Sequence, residues 1–346
     1  MKQSIFFRTA VTTLSISLTV ALTTCRKKNP SGPTPQQSKT PTFRVQGRFL
    51  YDTMGEKVVL RGVNAMIIYW DRHGAVTYPE IEKTGANACR IFWQDDPVAN
   101  AADLDVTLQN CIRNHMIPIP CVWMATGEWD RLGECVDFWC RADIAAVIKK
   151  HEKSVLLNIA NEAGDGSVSD AMYRAGYEDA ITRLRAAGIH VPLVVDASNW
   201  GRGEKTILHN ARALIEKDPE HNLLFSWHPW DPKTWGGTLA RIQAAIDSAK
   251  AGDIPFMIGE FSQSEQGDDR WKNTPIEWRF ILEACQRDEI GWLAWVWWCC
   301  GDTPDHHSLT TDKKFGNWNN APWGEECAVS SPYGIKNTSA RPVSMR

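Results

Sequence analysis

Several absences narrow this 346-residue chain before any motif is read. None of its 10 cysteines forms a C-x-x-C pair, which removes the usual ligand spacing of a structural zinc site. G-x-S-x-G and H-E-x-x-H are both missing, so serine esterase and zinc peptidase chemistry lack their motifs. No glycine-rich phosphate loop follows any apolar run, which weighs against an open dinucleotide-binding sheet. Charge of one sign is lacking too: 38 Lys and Arg stand against 41 Asp and Glu, for a net charge of −3. With no basic cluster near the candidate site, nucleic acid is not an expected partner. A long hydrophobic span is also absent from the start of the chain. Lys2 and Arg8 flank a short charged start, and the apolar segment Thr9–Thr24 is too short to cross a membrane comfortably.

That segment reads as a targeting signal, residues 1–24. Leu22-Thr23-Thr24-Cys25 resembles a bacterial lipoprotein box, with Thr24 standing where a smaller residue is usual. The expectation is an exported bacterial protein lipidated at Cys25 and held to the envelope or cell surface by that anchor alone; ordinary secretion is the alternative. Residues 25–42, rich in Pro, Ser, Gln and Lys, read as a flexible tether. Export permits disulfides. Cys135 and Cys140 could close a small loop, Cys299 and Cys300 are adjacent, and Cys89, Cys121 and Cys285 read as buried thiols.

What the chain has in excess is tryptophan, 17 residues. Most should pack in the core, but flat indoles also stack on the apolar faces of sugar rings. From Phe43 onward a small β-hairpin, with Asp52–Glu56 as its turn, leads into a series of short apolar runs. These are Val58–Asn64, Ala86–Trp93, Met116–Met124, Ser154–Glu162, Val191–Ser198, Leu223–Trp230, Pro255–Ser262 and Gly291–Trp298. Their starts are spaced by roughly 28 to 38 residues, about one strand–helix unit each. Helical periodicity fills Ala171–Gly188, Leu239–Gly252 and Ile276–Asp288. Eight such units make the fold class α/β, a (β/α)8 TIM barrel over residues 43–346.

Strand tips carry the chemistry of such a barrel. The fourth run ends in Asn161-Glu162 and the seventh in Glu260, charges that are out of place as strand core. Two glutamates facing one another are the equipment of a glycosidase, one to protonate the leaving oxygen and one to attack the anomeric carbon or activate water. Other tips supply partners. Arg90 in the second run can hold Glu260 ionised, Asn161 can bond a sugar 2-hydroxyl, and His228 can relay or orient. Asp196 ends the fifth run and Trp200 follows it; Trp123, Trp230 and Trp297 close the third, sixth and eighth, with Trp297 read as the floor under the reacting sugar. Each has a plainer reading as an ion pair, a satisfied core histidine or ordinary packing. The Asp302, Asp305, His306, His307 cluster reads as a solvated loop and Glu128 and Asp130 as surface charge, so no metal and no cofactor is expected.

The combination of Leu60-Arg-Gly-Val-Asn64, Asn158-Ile-Ala-Asn-Glu162, Gly259-Glu260-Phe261 and Gly291-Trp-Leu-Ala-Trp-Val-Trp297 resembles glycoside hydrolase family 5, nearest its bacterial endo-β-1,4-mannanase branch. The resemblance implies a retaining hydrolase of β-1,4-mannan or glucomannan, with Glu162 as acid/base, Glu260 as nucleophile, and Arg90, Asn161, His228 and Trp297 in support. A β-glucanase or an exo-acting glycosidase of the same family is the alternative within that class, and an inactive surface glycan-binding barrel the alternative outside it. The expected partner is a β-linked polysaccharide or oligosaccharide, and the expected state a monomer. Three departures stand out. Trp123 occupies the family's strand-3 histidine position, Ala65 and Ile67 replace histidines after strand 1, and His228-Pro229-Trp230 replaces His-x-Tyr. An indole N–H can still donate to the nucleophile, but it cannot accept.

Overall fold

The computed structural model of the chain describes residues 41–94, 100–265, 275–299, 306–319 and 322–346. The targeting segment, Cys25 and most of the tether lie outside these, as do Cys300, Asp302 and Asp305. Eight parallel strands close on themselves. They are β4 (Arg61–Ala65), β5 (Ala88–Trp93), β6 (Ile117–Val122), β7 (Leu157–Asn158), β8 (Leu193–Asp196), β9 (Leu223–Trp227), β10 (Phe256–Ile258) and β11 (Gly291–Ala294), and β11 pairs back onto β4. Barrel strands are covered on both faces, inside by one another and outside by helices, which is why their sequences run apolar without alternation. In β5, ACRIFW, all six residues are buried.

Helices between the strands begin where side chains can satisfy their free N–H groups. Asn100 caps Ala101–Arg113 in a reciprocal capping box with Asp103. Ser169 caps Asp170–Ala186 and Thr238 caps Leu239–Ala251. The helix Trp278–Asp288 turns Trp278, Ile281, Leu282 and Cys285 inward, three or four residues apart, onto the outside of the barrel. Among the described residues no helix is long and apolar enough to cross a membrane.

The N-terminal hairpin gains a third strand. β1 (Arg44–Gln46), β2 (Phe49–Tyr51) and β3 (Lys57–Val58) form an antiparallel sheet whose second turn is the expected Asp52–Glu56. Phe43, Leu50 and Val58 join Leu60, Ile117, Leu156, Leu224, Met257 and Leu293 in one apolar cluster that stops the barrel floor. Met345 belongs to the same cluster, and the Ser344 N–H donates to Asp52 Oδ2, so the C-terminus returns to the floor.

Cysteine usage departs from one reading. Cys135 and Cys140 do not close a loop; both are free thiols on the helix Leu132–Cys140, where a separation of five residues points them to different sides. Cys89, Cys121 and Cys285 are buried free thiols, and Cys299 is disulfide-bonded.

Candidate active site

Inward-facing positions change chemistry within two residues along the strands. Ala88, Leu156 and Val194 belong to the apolar floor, whereas Arg90, Asn158 and Asp196, one inward step higher, are polar and wholly buried. Arg90 is the hub. Its Nε donates to Asn158 Oδ1 at 2.7 Å. One terminal nitrogen reaches Glu260 Oε1 at 2.5 Å and Asn64 Oδ1 at 3.0 Å. The other reaches Asn161 Oδ1 at 2.8 Å, Asp196 Oδ2 at 3.0 Å and the Cys121 sulfur at 3.2 Å. A buried guanidinium is tolerable because every donor in its fork is used.

Glu162 follows β7 with φ at 47°, a left-handed conformation that a non-glycine residue adopts only under constraint. The constraint is visible: its N–H donates to Asp196 Oδ2 at 3.1 Å, and its carbonyl accepts from Gly127 at 3.0 Å. This turn lifts the carboxyl out of the strand line and onto His228, whose Nδ1 lies 2.8 Å from Glu162 Oε1. The far nitrogen of that ring sits 3.1 Å from Ser226 Oγ. A neutral imidazole donating through Nε2 leaves Nδ1 to accept a proton held by Glu162. Burial keeps His228 below its ordinary pKa, which favours that neutral form. Glu260 follows β10 through Gly259, where any Cβ would meet Ser226 Oγ at 2.1 Å and His228 Nε2 at 2.7 Å. Glycine there lets the imidazole lie against the strand.

Donor oxygens of Glu162 and Glu260 and a nitrogen of His228 all fall within 4.8 Å of one another. The Arg90 guanidinium neutralises Glu260 from outside this set, and the hydrogen bond between Glu162 and His228 leaves those two groups to share a proton. An oxygen separation under 4.8 Å is on the retaining side, because inverting enzymes hold their carboxyls roughly 6.5–9.5 Å apart to admit a water. Burial pushes the Glu162 carboxyl up to about 8, with the neighbouring Asp196 adding to the rise. Glu260 is likewise pushed up by burial, to about 7, while His228 and Arg90 restrain it. The two carboxyls titrate as a pair, with the Arg90 guanidinium against Glu260 and the neutral His228 ring against Glu162.

The cleft above the pair encloses about 410 Å3 between Met66, Phe92, Trp123, Thr126, Asn161, Trp295 and Cys299. Trp123 stands at the tip of β6 as expected. It stacks on Tyr69, with ring centroids 6.3 Å apart, and its N–H donates to Gln94 Oε1. Trp230 is buried and donates its indole N–H to Glu260 Oε2 at 3.3 Å. The indole thus makes the one hydrogen bond to the nucleophile position that its chemistry allows. Asn161 lines the cleft, its amide N–H donating to Thr126 Oγ1 at 2.8 Å. Asp196 does not face the cleft; it is wholly buried beneath it. Trp200 is exposed at the rim.

Trp297 is not the floor. It is buried with its indole N–H on the Lys313 carbonyl at 2.9 Å, and it packs edge-on against Trp318. Trp295 lines the cleft instead, and its buried indole N–H has no partner among the described residues, leaving a donor for a sugar hydroxyl. His307 also departs from the solvated-loop reading, being buried edge-on against Trp230 at 5.7 Å. Glu128 and Asp130 are exposed, as read from the sequence, with Glu128 paired to Arg131. Sequence reading overlooked Asn64, Asn158 and Phe92. The two asparagines carry a usable signal, an amide within a largely apolar run, while Phe92 resembles any core residue.

The chain's sequence and fold are matched in known proteins. The family model described as cellulase (glycosyl hydrolase family 5) matches residues 135–301. The mannan endo-1,4-beta-mannosidase of Salipaludibacillus agaradhaerens is 31% identical over 303 residues, covering 86% of this chain and 94% of the relative. The chain belongs to glycosyl hydrolase family 5. Among solved structures it is similar to the beta-mannanase of Streptomyces thermolilacinus, with a TM-score of 0.77 and 27% identity over 88% of this chain and 100% of that one. The mannohexaose complex of Thermomonospora fusca beta-mannanase gives 0.77 and 26%, over 89% and 100%. Membership makes this barrel a glycoside hydrolase.

Proposed function

We propose that the protein is a retaining endo-β-1,4-mannanase. The observation that carries the chemistry is the pair of buried carboxyls within 4.8 Å, one salted to Arg90 and the other hydrogen-bonded to a neutral histidine. Glu260, as carboxylate, attacks the anomeric carbon while Glu162 gives its proton to the departing glycosidic oxygen. The C–O bond breaks and a glycosyl ester forms on Glu260. Glu162, now ionised, takes a proton from water; the hydroxide oxygen bonds the same carbon and Glu260 leaves as carboxylate, which restores both groups. Arg90 and the Trp230 N–H stabilise the Glu260 charge at departure, and Asn161 is placed to bond the sugar 2-hydroxyl. The Trp295 indole walls the reacting sugar.

Mannan as substrate rests on the relatives, which are β-mannanases along most of the chain. The departures at Trp123 and Trp230 leave the carboxyl pair and Arg90 intact, and Trp230 retains a donor to Glu260, which favours an enzyme over an inactive binder. A fluorinated β-mannoside trap followed by peptide mapping should place the sugar on Glu260, and labelling at another residue or none would refute the mechanism. Activity ranked across mannan, glucomannan and cellulose tests the substrate; cellulose preferred over mannan would overturn it. We also propose that the chain is exported and lipid-anchored at Cys25, on the strength of its N-terminal sequence. Mass spectrometry of the membrane fraction should find a diacylglyceryl Cys25, and an unmodified cysteine there rejects the anchor.

A further inference from the structure

Arg202, Asp231, Glu265, Arg241 and Glu204 interlock beside the barrel mouth, and none of them lines the cleft. Arg202, on the loop after β8, donates to Asp231 Oδ1 at 3.4 Å and to Glu265 Oε1. Arg241 donates to the other oxygen of Asp231 and to both oxygens of Glu204. Ion pairs open to water contribute little. Glu265 differs, because its side chain is only 4% exposed and Arg202 is the one cation paired with it among the described residues. A carboxylate so buried is kept ionised by its partner, and loss of the partner leaves its charge uncompensated.

These pairs join the loops that carry the partners of both reacting carboxyls. Arg202 follows Gly201, whose carbonyl accepts from the His228 N–H at 2.8 Å. The Arg202 carbonyl accepts from Trp227 Nε1 at 3.1 Å and from Arg241 at 3.2 Å, so backbone and side chain are both tied. Asp231 follows Trp230, which donates to Glu260. Glu265 lies beyond Glu260 on the loop after β10, its carbonyl 3.3 Å from Nε2 of His307, the ring that packs on Trp230. Charge also reaches Glu162 from several sides: Asp196 beneath it, His228 against it, Glu260 across the cleft, and Arg90 and Arg202. Burial and Asp196 raise the Glu162 carboxyl, and Arg90 and Arg202 oppose the rise.

We propose that Arg202 is a positioning residue: its ion pairs with Asp231 and Glu265 clamp the loops after β8, β9 and β10, hold His228 on Glu162, and set the charge that Glu162 faces. The inference rests on the reading of Glu162 as the proton donor. Charges in a water-poor site act on one another over longer distances than at the surface, so a clamp outside the cleft can tune the acid within it.

The pH profile of kcat/KM for mannan, measured on the full chain, tests this. Glu162 acts when protonated, so its ionisation sets the alkaline limb. Arg202→Met removes a cation that favours the carboxylate, and the limb should move up by about half a pH unit. Glu265→Gln keeps the side-chain shape and leaves the Arg202 charge less opposed, so the limb should move down by about as much. The double variant should return it toward the wild-type position, and Arg202→Lys, which keeps the charge, should stay near it. In Arg202→Met kcat should fall about tenfold while KM changes less than about twofold, because Arg202 lies outside the cleft. Merely loosened loops would move the limb the same way in Arg202→Met and Glu265→Gln, or in neither, and either result would overturn the clamp. If Arg202→Met fails to fold by circular dichroism, Glu265→Gln decides alone, and a limb that does not move down overturns the proposal. A wild-type chain inert on mannan, or active without an alkaline limb, would overturn the reading of Glu162 and this inference with it.

Discussion

At the barrel floor, Leu60, Leu156, Leu224 and Leu293 meet the N-terminal sheet in an apolar cluster. At the mouth, Arg90, Asn158, Asp196, His228 and Glu260 meet in a polar one, and both sets are buried. Burial alone therefore separates nothing. The floor gains from every methylene removed from water. The mouth gains only where each charge finds its partner, and it keeps two carboxyls well above their ordinary range. The same eight strands carry stability at one end and chemistry at the other, with about two residues between the regimes.

The sharpest break of this contrast is Glu260→Gln, which should lower kcat on the order of 10⁵-fold while leaving the fold intact, measured by mannan hydrolysis beside circular dichroism. A smaller, leaving-group-dependent loss is expected for Glu162→Gln. Natural β-mannosides, whose departing oxygen needs a proton, should slow by about 10²–10⁴-fold, and a dinitrophenyl β-mannoside much less in its first step. Burst kinetics on that substrate would show this, and uniform loss on both would count against Glu162 as the acid. At the floor, Leu293→Ala should cost about 2–5 kcal/mol in denaturant unfolding and leave kcat for mannan nearly unchanged.

The smallest expected effect sharpens the comparison most. Both mouth carboxyls titrate higher in the folded chain than in an unfolded one, Glu162 from 4.5 to about 8 and Glu260 from 4.5 to about 7. The folded chain thus binds more protons across that window, and stability falls as pH rises through it. Glu162→Gln stays neutral, so its Tm relative to wild type should climb between about pH 5 and about pH 9. A constant difference would mean that Glu162 is not held protonated. Activity should need Glu260 ionised and Glu162 protonated, giving a kcat/KM profile with limbs near 7 and 8.

Eight apolar runs at regular spacing, and the two glutamates that end the fourth and seventh, were legible in the chain because strand burial and charge are local properties of residues. Arg90 was legible for the same reason, a charge inside an apolar strand. Trp295 and Trp297 were not separable: both are aromatic, two apart and almost fully buried, and only the path of the loop decides which one reaches the cleft. Asp196 was legible as a tip residue, to bind substrate or to support the site, and Arg90, Asn158 and the Glu162 N–H hold it beneath the cleft in the supporting position. His307 read as solvated until Trp230 and the Glu265 carbonyl were seen against it. By itself, then, the sequence determined the barrel, the reacting pair and the class of reaction, since each follows from residue type and position along a strand. Which indole lines the cleft, and which partner stands against each glutamate, were decided by tertiary structure, because these depend on distances of a few ångströms between residues far apart in the chain.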